Sequence, residues 1–410
     1  MTQEEALTIM KGDNNVFLTG EPGSGKSYTV DRYVDWAFAN GVYPVITATT
    51  GIAATNVNGS TLHSWAGLRD DKILTDQDLL ALMGNKWVRN RVRNTKVLVI
   101  DEISMASAQL MDQINRLTKV IRKDDRPFGG IKVIMVGDFF QLPPVNGAFA
   151  FESDAWQELD PHMCELTEQH RQSEGLFIEI LRKARRNESF TDEEKEALKA
   201  RKYDDVSKLP VQLRLETHNK DVDKVNFARL QRHPGTAKTY TMKKFGPAAE
   251  HLVRNCLSPE KLTLKEGVPV MFTKNDPELR WVNGTQGTVK EMKDDRVVVE
   301  LVDGSEVEVL RAQWKRSSGY GAEEQVSAEL SQIPLRLAWA ITVHKSQGMT
   351  LDQAVMDLTN VFAPGQGYVA VSRVRSLAGV YFQGKLTPRA FMVDPKVIAF
   401  YQGLNQGKLL

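Results

Sequence analysis

The amino-acid sequence predicts an α/β protein of two lobes, each a parallel sheet with flanking helices, together with a small β insertion. Three observations support this fold class. Short apolar runs alternate with amphipathic segments along the first 165 residues, the alternation returns in the second half, and Gly-rich turns separate Val-rich runs between the two. The 410 residues are too many for one ordinary core, so we expect two or three domains.

The first lobe contains four runs that suit buried strands. Runs this continuously apolar are typical of strands that helices cover on both faces, and the intervening segments are long enough for crossover helices. The strands are expected at VFLTG from Val16, PVITAT from Pro44, VLVID from Val97 and KVIMVGD from Lys132.

The second half repeats this pattern less regularly and encloses the β insertion. From about Gly267 to Gln332, alternating runs such as RVVVELVDGSEVEVL predict a small β-barrel, with a hairpin turn at Asp303-Gly304. The second lobe should contain strands at QLRLET near Gln212, AVMDL near Ala354 and GVYFQ near Gly379, and a helix from Gly367 to Arg375.

Composition excludes several classes of protein. The net charge is +1, from 53 basic and 52 acidic residues, so any nucleic-acid contact must come from local patches. No apolar run approaches the roughly 18 residues that span a bilayer, and no signal-peptide pattern is present, so we expect a cytoplasmic protein without a membrane partner. Cys164 and Cys256 lie far apart without metal-ligand spacing, which predicts two small hydrophobic side chains.

The most specific motif is GEPGSGKS, from Gly20 to Ser27, between a predicted strand and a predicted helix. Gly23 and Gly25 allow backbone N–H groups to turn inward around a phosphate chain, and the helix that follows presents its positive end to the same anion. Lys26 then neutralises the β- and γ-phosphates, and Ser27 offers a hydroxyl to Mg²⁺. The motif predicts a nucleoside triphosphatase.

A second motif, VLVIDEIS, carries Asp101 and Glu102 to the carboxyl end of a predicted buried strand. We expect Asp101 to hold the magnesium shell and Glu102 to polarise the attacking water, which makes the reaction hydrolysis. A lone Asp-Glu pair is weak evidence, but the phosphate loop lies about 75 residues upstream and strengthens it.

Two observations predict which base the nucleotide carries: one argues against guanine, and the other is a glutamine that could bind adenine. A GTPase would carry N-K-x-D, and the stretch NKDV at Asn219 has Val222 in place of the aspartate, which argues against guanine. Gln3 is the candidate for reading adenine, because its amide can donate to and accept from one base edge. The alternative for Gln3 is an exposed polar residue near a terminus.

In these motifs and others the chain resembles the Pif-family DNA helicases of superfamily 1B, with the RecD-like and Dda-like helicases as more distant relatives. The resemblance covers nearly the whole chain. Its stretches are TATTGIAATNVNGSTLHSWAG from Thr47, DEISMASAQLMDQINRL from Asp101, PFGGIKVIMVGDFFQLPPV from Pro127, LTEQHRQ from Leu166, THNKDVDKVN from Thr217, VMFTKNDPELRWVNGTQG from Val270, AITVHKSQGMTL from Ala340 and GYVAVSRVRS from Gly367.

The resemblance implies the domain organisation. Two RecA-like lobes would comprise residues 1–165 and residues 166–266 with 333–410, and an SH3-like β-barrel would occupy residues 267–332. A small insertion that acts as a wedge between the two strands of a DNA duplex would lie at about residues 68–94 of the first lobe. Trp87 is a candidate for the wedge residue.

The resemblance also implies the nucleotide site. Gln141 would sense the γ-phosphate, and Arg171 and Arg373 would act as arginine fingers, although Arg373 alone could be a surface arginine. The nucleotide-binding residues would be Gln3, Gly20, Glu21, Pro22, Gly23, Ser24, Gly25, Lys26, Ser27, Tyr28, Gln347 and Gly348.

A third implication concerns the DNA track. Hydroxyls, amides and backbone N–H groups suit phosphate contacts that position a strand without reading its sequence. Such contacts would come from Thr49, Thr50, Gly51, Asn56, Thr217, Asn219, Thr342, His344 and Ser346, and Pro143 would be a further DNA-binding residue. His63, Trp65 and Phe140 could stack on bases, but without the family Trp65 and Phe140 read as core residues.

The sequence therefore predicts an ATP- and Mg²⁺-dependent DNA helicase that moves 5′-to-3′ on single-stranded DNA and opens forked or tailed duplexes. The direction comes from the resemblance, as do a monomeric state, a nucleoid association in a bacterial host, and roles in replication, recombination and repair. Three alternatives stay open: an ATP-switched nucleic-acid-binding protein, an RNA helicase, and a small-molecule kinase with the same phosphate loop.

Overall fold

The structure is a computed structural model of the chain. It describes every residue of the sequence except 58, 69–72, 146, 169–174, 204–212, 218–221, 248, 255, 279, 319–324 and 408–410. The chain divides into two compact units, a first unit of Met1–Arg171, Ser317–Gln325 and Pro395–Leu410, and a second unit of Gln172–Arg316 and Val326–Asp394. Among the described residues, no helix combines the length and apolar character needed to cross a membrane.

The first unit is built on a six-stranded parallel sheet, as its apolar runs predict. The hydrogen-bonded order is β3-β2-β4-β5-β1-β6, and every pair is parallel. The strands are β1 (Val16–Gly20), β2 (Val45–Ala48), β3 (Ser60–Thr61), β4 (Val97–Asp101), β5 (Lys132–Val136) and β6 (His162–Leu166).

Helices surround this sheet. They are α1 (Gln3–Lys11), α2 (Lys26–Ala39), α3 (Gly51–Asn56), α4 (Leu62–Ala66), α5 (Asp76–Gly84), α6 (Lys86–Asn94), α7 (Ala108–Arg122), α8 (Asp154–Leu159) and, from the end of the chain, α14 (Pro395–Gly407).

Both faces of the sheet are buried, which explains why its strands read as continuous apolar runs. On one face, Val16 and Leu18 of β1 pack in a core with α1 and α2 that also holds Cys164. On the other face, the Phe17 ring contacts Trp156 of α8 and Phe400 of α14. Burying a side chain of this size stabilises the fold by roughly 1.5–3 kcal/mol.

Helix α14 belongs to the first unit, whereas the family resemblance implies that residues 333–410 lie in the second lobe. The aromatic side chains of the helix explain the difference. The Phe400 ring stacks on Phe151 with centroids 4.3 Å apart, and Lys396 forms an ion pair with Glu152. This packing could not be read from the sequence, because both partners lie more than 200 residues away along the chain.

Helices α5 and α6 occupy the segment that was expected to form the wedge. Thr75 begins α5 with a capping box, and Asn85 accepts hydrogen bonds from the first turn of α6. The Trp87 side chain is 79% exposed. The arginines of α6 have backbone partners: for example, the Arg91 guanidinium donates to the Ser64 and Trp65 carbonyl oxygens. The wedge role itself stays a prediction.

The second unit contains a smaller parallel sheet in the order β18-β7-β19-β20. Its strands are β7 (Arg214–Glu216), β18 (Ala340–Thr342), β19 (Ala354–Asp357) and β20 (Val380–Gln383). Its helices are α9 (Gly175–Arg186), α10 (Asp192–Lys199), α11 (Val222–Arg232), α12 (Ala249–Arg254) and α13 (Gln366–Ser372). The predicted class, α/β with two parallel sheets, is confirmed.

The β insertion is antiparallel as expected, but it is larger than residues 267–332. Its strands are β8 (Lys238–Thr241), β9 (Lys243–Phe245), β10 (Lys261–Leu264), β11 (Pro269–Phe272), β12 (Gln286–Met292), β13 (Arg296–Leu301), β14 (Glu306–Leu310), β15 (Ala312–Ser318), β16 (Gln325–Gln332) and β17 (Leu335–Leu337). They form sheets in the orders β14-β13-β12-β11-β17, β15-β16-β9 and β10-β8. Asp303 and Gly304 make the predicted turn between β13 and β14, with Gly304 at φ 85°.

The expected closed barrel is not found in the described part of the chain. The five-stranded sheet is open, with β14 and β17 at its edges. Residues outside the sheet explain how it can remain open: Leu230 of α11, Tyr240 of β8 and Leu262 of β10 complete the core on one face. The apolar face is therefore buried without closure of the sheet.

One buried amide joins helix α11 to strand β18. The Asn226 Oδ1 accepts hydrogen bonds from the Trp339 and Ala340 N–H groups at 3.1 and 3.0 Å, and its Nδ2 donates to the Ala340 carbonyl oxygen at 2.9 Å. The side chain is 5% exposed. An alanine here would leave buried backbone groups without these partners.

We therefore expect Asn226→Ala to lower the free energy of unfolding by about 3 kcal/mol. Urea denaturation followed by circular dichroism measures the change. Gln231→Ala, at an exposed position of the same helix, is the control and should change it by less than about 0.5 kcal/mol. Equal midpoints for the two variants would show that the Asn226 network does not stabilise the unit.

Candidate functional site

Three sequence motifs meet at the carboxyl edge of the first sheet. The phosphate loop follows β1, the Asp101-Glu102 pair ends β4, and the segment from Asp138 to Gln141 follows β5. Strand β5 pairs with both β1 and β4. Ligands of open α/β sheets bind at this edge, so the three motifs form one candidate nucleotide site.

The phosphate loop depends on glycine for its shape. Gly20, Gly23 and Gly25 have φ angles of 149°, 89° and 86°. A Cβ atom on Gly20 would lie 2.8 Å from the Leu166 carbonyl oxygen and from the Ser24 Oγ. Gly25 begins α2 without a side-chain cap, and the first turn of that helix contains no acidic residue. The N–H groups at this helix end can therefore face an anion.

Two side chains complete the inside of the loop. The Lys26 ammonium donates to the Gly20 and Glu21 carbonyl oxygens at 2.7 and 3.1 Å. The Ser24 hydroxyl is buried without a hydrogen-bond partner among the described residues. A buried, unsatisfied hydroxyl in the same loop as a lysine ammonium fits a site that is completed by a ligand.

Other predicted nucleotide-binding residues lie around this loop. The Gln3 Nε2 donates to the Ser24 carbonyl oxygen at 3.2 Å, which brings α1 against the loop. Ser27 is exposed in the first turn of α2, and Tyr28 is 57% exposed. The Arg32 guanidinium lies over the Tyr28 ring, 5.8 Å from its centroid.

The Asp101-Glu102 pair has unusual electrostatics. Burial, and next the neighbouring Glu102 charge, raise the pKa of Asp101 to about 7, while the Lys26 charge acts in the opposite direction. Two adjacent carboxylates with one nearby cation fit a divalent cation, which would offset their repulsion. Mg²⁺ suits this donor set, because it takes one or two protein oxygens and completes its shell with phosphate oxygens and water.

Glu102 has a strained backbone, with φ 52° and ψ 44° in the left-handed region. Non-glycine residues there cost of order 1–3 kcal/mol and persist only when their surroundings hold them. Its carbonyl oxygen accepts hydrogen bonds from the Thr49 hydroxyl at 2.9 Å and the Met105 N–H at 3.1 Å. Its N–H donates to the Asp101 Oδ1 at 2.8 Å. These bonds hold the Glu102 backbone in place and so fix the point from which its side chain extends.

The segment after β5 is held by its aspartate. The Asp138 Oδ1 accepts a hydrogen bond from the Phe140 N–H at 3.2 Å, and its carbonyl oxygen accepts one from the Gln141 N–H at 2.9 Å. Gln141 is 6% exposed. Gly137, before this turn, lies so close to the carboxylate motif that a Cβ there would be 3.0 Å from the Ile103 nitrogen.

The predicted phosphate contacts of the first unit follow strand β2. Thr49, Thr50 and Gly51 are half-buried at the start of α3, where the Thr50 Oγ1 accepts a hydrogen bond from the Ala53 N–H at 3.2 Å. His63 and Pro143 are also half-buried. The side chain of Asn56 lies outside the described part of the structure.

Trp65 and Phe140, which the resemblance places among the base-stacking residues, are both buried, and their stacking role stays a prediction. Trp65 is 1% exposed, and its Nε1 donates to the Thr95 hydroxyl at 3.3 Å. Phe140 is 6% exposed and stacks on Tyr401, with centroids 4.7 Å apart. Both rings serve the core of the first unit, in line with the alternative interpretation of these two residues.

In the second unit, the predicted contact residues have mostly local partners. Thr342, at the end of β18, is 1% exposed, and its Oγ1 accepts a hydrogen bond from the Lys345 N–H. The Ser346 Oγ donates to the Val343 carbonyl oxygen at 2.8 Å. These hydroxyls build the turn that follows β18, and the phosphate contacts of this segment stay a prediction. Burial lowers the pKa of His344, which favours the neutral ring.

Two other candidates of the second unit, Thr217 and Arg373, contact helix α13. The Gln366 Nε2 at the start of this helix donates to the Thr217 carbonyl oxygen at 3.0 Å. Gln347 is buried, and Gly348 is exposed with a φ angle of 78°. Arg373 is 2% exposed, and its Nε donates to the Val369 carbonyl oxygen at 3.0 Å. Its guanidinium lies against its own helix. Arg171 and Asn219 lie outside the described residues.

Sequence reasoning missed two side chains that touch this site. Thr49 was assigned to the DNA track, but its hydroxyl also holds the Glu102 carbonyl oxygen. Tyr401 was assigned no role, although it contacts Thr19 and Phe140. No sequence signal could have identified Tyr401, because 382 residues separate it from Thr19.

Comparison with known proteins gives a consistent result. A sequence model of the PIF1-like helicase family matches residues 3–192, and a model of the DNA helicase Pif1 2B domain matches residues 249–292. The chain is 37% identical to the ATP-dependent DNA helicase Pif1 of Psychrobacter sp., over 96% of the chain and 69% of that protein. It is 35% identical to the protein of that name from Bdellovibrio bacteriovorus, over 98% and 91%.

Solved structures are similar to the whole chain. Bacteroides sp Pif1 in complex with ADP-AlF4 has a TM-score of 0.88 and 30% identity, with 99% of this chain and 96% of that chain covered. Bacteroides Pif1 in complex with ADP-AlF3 and ssDNA has a TM-score of 0.64 and 30% identity, over 98% and 96%. A structure of forked dsDNA unwinding by two coordinating Pif1 helicases has a TM-score of 0.68 and 31% identity, over 99% and 96%.

The Thr49–Glu102 hydrogen bond gives a testable prediction. Thr49→Val removes a bond worth about 1 kcal/mol, so kcat for nucleotide hydrolysis without DNA should fall about fivefold. Thr49→Ser keeps the hydroxyl and should stay within about twofold of the wild type. Steady-state phosphate release measures both rates. Equal rates for Thr49→Val and Thr49→Ser would mean that this bond does not position Glu102.

Proposed function

This chain belongs to the PIF1-like helicase family, and we propose on that premise that it is an ATP-dependent DNA helicase. In this proposal it hydrolyses Mg-ATP, moves along single-stranded DNA and unwinds duplex DNA. The observation that carries the proposal is the meeting of the phosphate loop, the Asp101-Glu102 pair and Gln141 at three neighbouring strand ends. A phosphate cradle beside an acidic pair suits hydrolysis of a phosphoanhydride.

The site residues of the first unit have different roles in the proposed reaction. The loop N–H groups and Lys26 bind the phosphates, and Gln3 beside the loop contacts adenine. Asp101 and Ser27 would hold Mg²⁺, which would draw charge from the β- and γ-phosphates. Glu102 orients and polarises the attacking water, and Gln141 contacts the γ-phosphate.

Cations that act late in the reaction complete the proposed site. Arg171 and Arg373 supply positive charge to the γ-phosphate in the transition state. For Arg373, this role requires the guanidinium to leave the Val369 carbonyl oxygen to which it now donates. The hydrogen bond is replaceable, because a charged phosphate oxygen is a stronger acceptor than a neutral carbonyl.

The proposed DNA track uses N–H groups and hydroxyls near the carboxyl ends of β2, β7 and β18. Thr49, Thr50 and Gly51 follow β2, Thr217 follows β7, and the turn from Thr342 to Ser346 follows β18. Backbone N–H groups suit phosphate contacts and carry no base specificity. The 5′-to-3′ direction and action as a monomer belong to the same proposal.

The ATP site is tested by removing its lysine. Lys26→Ala should lower ATP turnover at least about 100-fold, because the phosphates lose the cation that stabilises developing charge. Binding of fluorescent single-stranded DNA should stay near the wild-type level. Arg32→Ala removes another cation of helix α2, one that pairs with Glu4 of α1, and as the matched control it should keep normal turnover. Persistent turnover in Lys26→Ala would refute the site.

The helicase activity and its direction are tested with matched tailed duplexes. A duplex with a 5′ single-stranded tail should be unwound in the presence of Mg-ATP, and the same duplex with a 3′ tail should not. Preferential opening of the 3′-tailed duplex would overturn the proposed direction. DNA-stimulated hydrolysis without strand separation would instead indicate an ATP-switched binding protein.

The nucleic-acid preference is tested in the same assay. Single-stranded DNA should stimulate ATP hydrolysis more strongly than RNA of equal length and sequence. Stronger stimulation by RNA would favour the RNA-helicase alternative, because a filter for the 2′-OH is the feature that separates the two substrates. Unwinding that rises linearly with protein concentration would support action as a monomer.

A further inference from the structure

We propose that Tyr401 of helix α14 is a positioning residue for the nucleotide site, because it joins the strand that enters the phosphate loop to the segment that carries Gln141. The inference rests on the proposed ATP hydrolysis at this site. It concerns a part of the chain, residues 395–407, to which neither the motifs nor the proposed function assigns a role.

The first contact is with strand β1. The Tyr401 and Thr19 hydroxyls are 2.8 Å apart and share a buried hydrogen bond. Thr19 is 0% exposed and Tyr401 is 7% exposed. Thr19 directly precedes Gly20, where the phosphate loop begins. A buried hydroxyl without a partner is costly, so this bond constrains the end of β1 and with it the start of the loop.

The second contact is with the segment after β5. The Tyr401 and Phe140 rings are stacked, with centroids 4.7 Å apart and an interplanar angle of 23°. Phe140 directly precedes Gln141, whose side chain is proposed to contact the γ-phosphate. Because stacked rings restrict each other's rotation and translation, the Tyr401 ring limits where the backbone of Gln141 can lie.

The rest of helix α14 explains why Tyr401 can hold both neighbours. The Phe400 ring lies in an aromatic cluster, 5.5 Å from the Phe139 centroid and 4.3 Å from that of Phe151. The exposed Lys396 pairs with Glu152. The helix is therefore anchored independently of Tyr401, and Tyr401 projects from an already fixed support toward both loops of the site.

A purely structural role would make Tyr401 one more core side chain. The two interpretations differ in what a substitution changes. A core side chain affects the unfolding temperature, whereas a positioning residue also changes the KM for ATP or kcat at temperatures where the variant is fully folded. The two contacts can also be tested separately, because the Tyr401 hydroxyl acts on the phosphate loop and the Tyr401 ring acts on Gln141.

The experiment measures ATP hydrolysis and thermal unfolding for a set of full-length variants. Tyr401→Phe removes the hydroxyl and keeps the ring, so the KM for ATP should rise about three- to tenfold, as expected for one buried hydrogen bond, with kcat within about twofold. Tyr401→Leu removes both contacts, so kcat should also fall about tenfold. The phenylalanine variant thereby retains the kcat that the leucine variant loses.

Two controls separate positioning from general destabilisation. Phe400→Leu weakens the anchor of the same helix and a ring contact with Tyr401 at 5.4 Å, but keeps the Thr19 and Phe140 contacts, so it should lower the unfolding temperature and reduce kcat clearly less than Tyr401→Leu does. Lys396→Ala should change neither constant. If Phe400→Leu and Tyr401→Leu lower kcat equally, docking of the helix as a whole is responsible and the specific role of Tyr401 is overturned.

A double-mutant cycle tests the hydrogen bond directly. Thr19→Val should raise KM by about the same factor as Tyr401→Phe, and the double variant should match either single variant and not their product. Multiplicative effects would overturn the link between these hydroxyls. Should Tyr401→Leu fail to fold, this cycle still decides the question.

Lys26→Ala distinguishes failure of this inference from failure of the proposed function. If Lys26→Ala is inactive and all Tyr401 variants keep wild-type constants, the inference on Tyr401 is wrong and the ATP site stands. If the wild-type chain does not hydrolyse ATP, or if Lys26→Ala hydrolyses it normally, the proposed function itself fails.

Discussion

The register of the parallel strands in the first sheet is the constraint on which the candidate site depends. Ala48 of β2 pairs with Asp101 of β4, so the next residues, Thr49 and Glu102, come side by side and hydrogen-bond. Leu18 of β1 likewise pairs with Val136 of β5, which brings the phosphate loop beside the turn that leads to Gln141. A slip of one residue would turn every following side chain to the opposite face of the sheet.

The same edge concentrates unfavourable local features that a nucleotide could relieve. Asp101 has a raised pKa because it is buried beside Glu102, Glu102 has a left-handed backbone, and the Ser24 hydroxyl has no hydrogen-bond partner among the described residues. Strain and unsatisfied polar groups persist where the surrounding structure holds them, and they cluster at functional sites. Here the surrounding structure is the two-sided core of the sheet, which includes helix α14 from the far end of the chain.

Several residues show that one motif can serve both the fold and a ligand. Ser and Thr hydroxyls readily bond nearby backbone groups, and Thr342 and Ser346 do so in the turn after β18. Trp65 carries out a core function within a stretch that otherwise resembles a DNA-contacting motif. Motif resemblance therefore locates a segment reliably, whereas the partner of each side chain depends on the packing around it.

The sequence by itself determined the α/β class, the phosphate loop, the acidic pair and the family, because these depend on local patterns: apolar runs, glycine positions and short motifs. Tertiary structure alone decided that the β insertion is an open sheet, that Trp65 and Phe140 face the core, and that α14 joins the first unit. The physical reason is the same in each case. Closure, burial and docking depend on contacts between residues far apart in the chain, such as Thr19 with Tyr401, and no local pattern encodes such a pair.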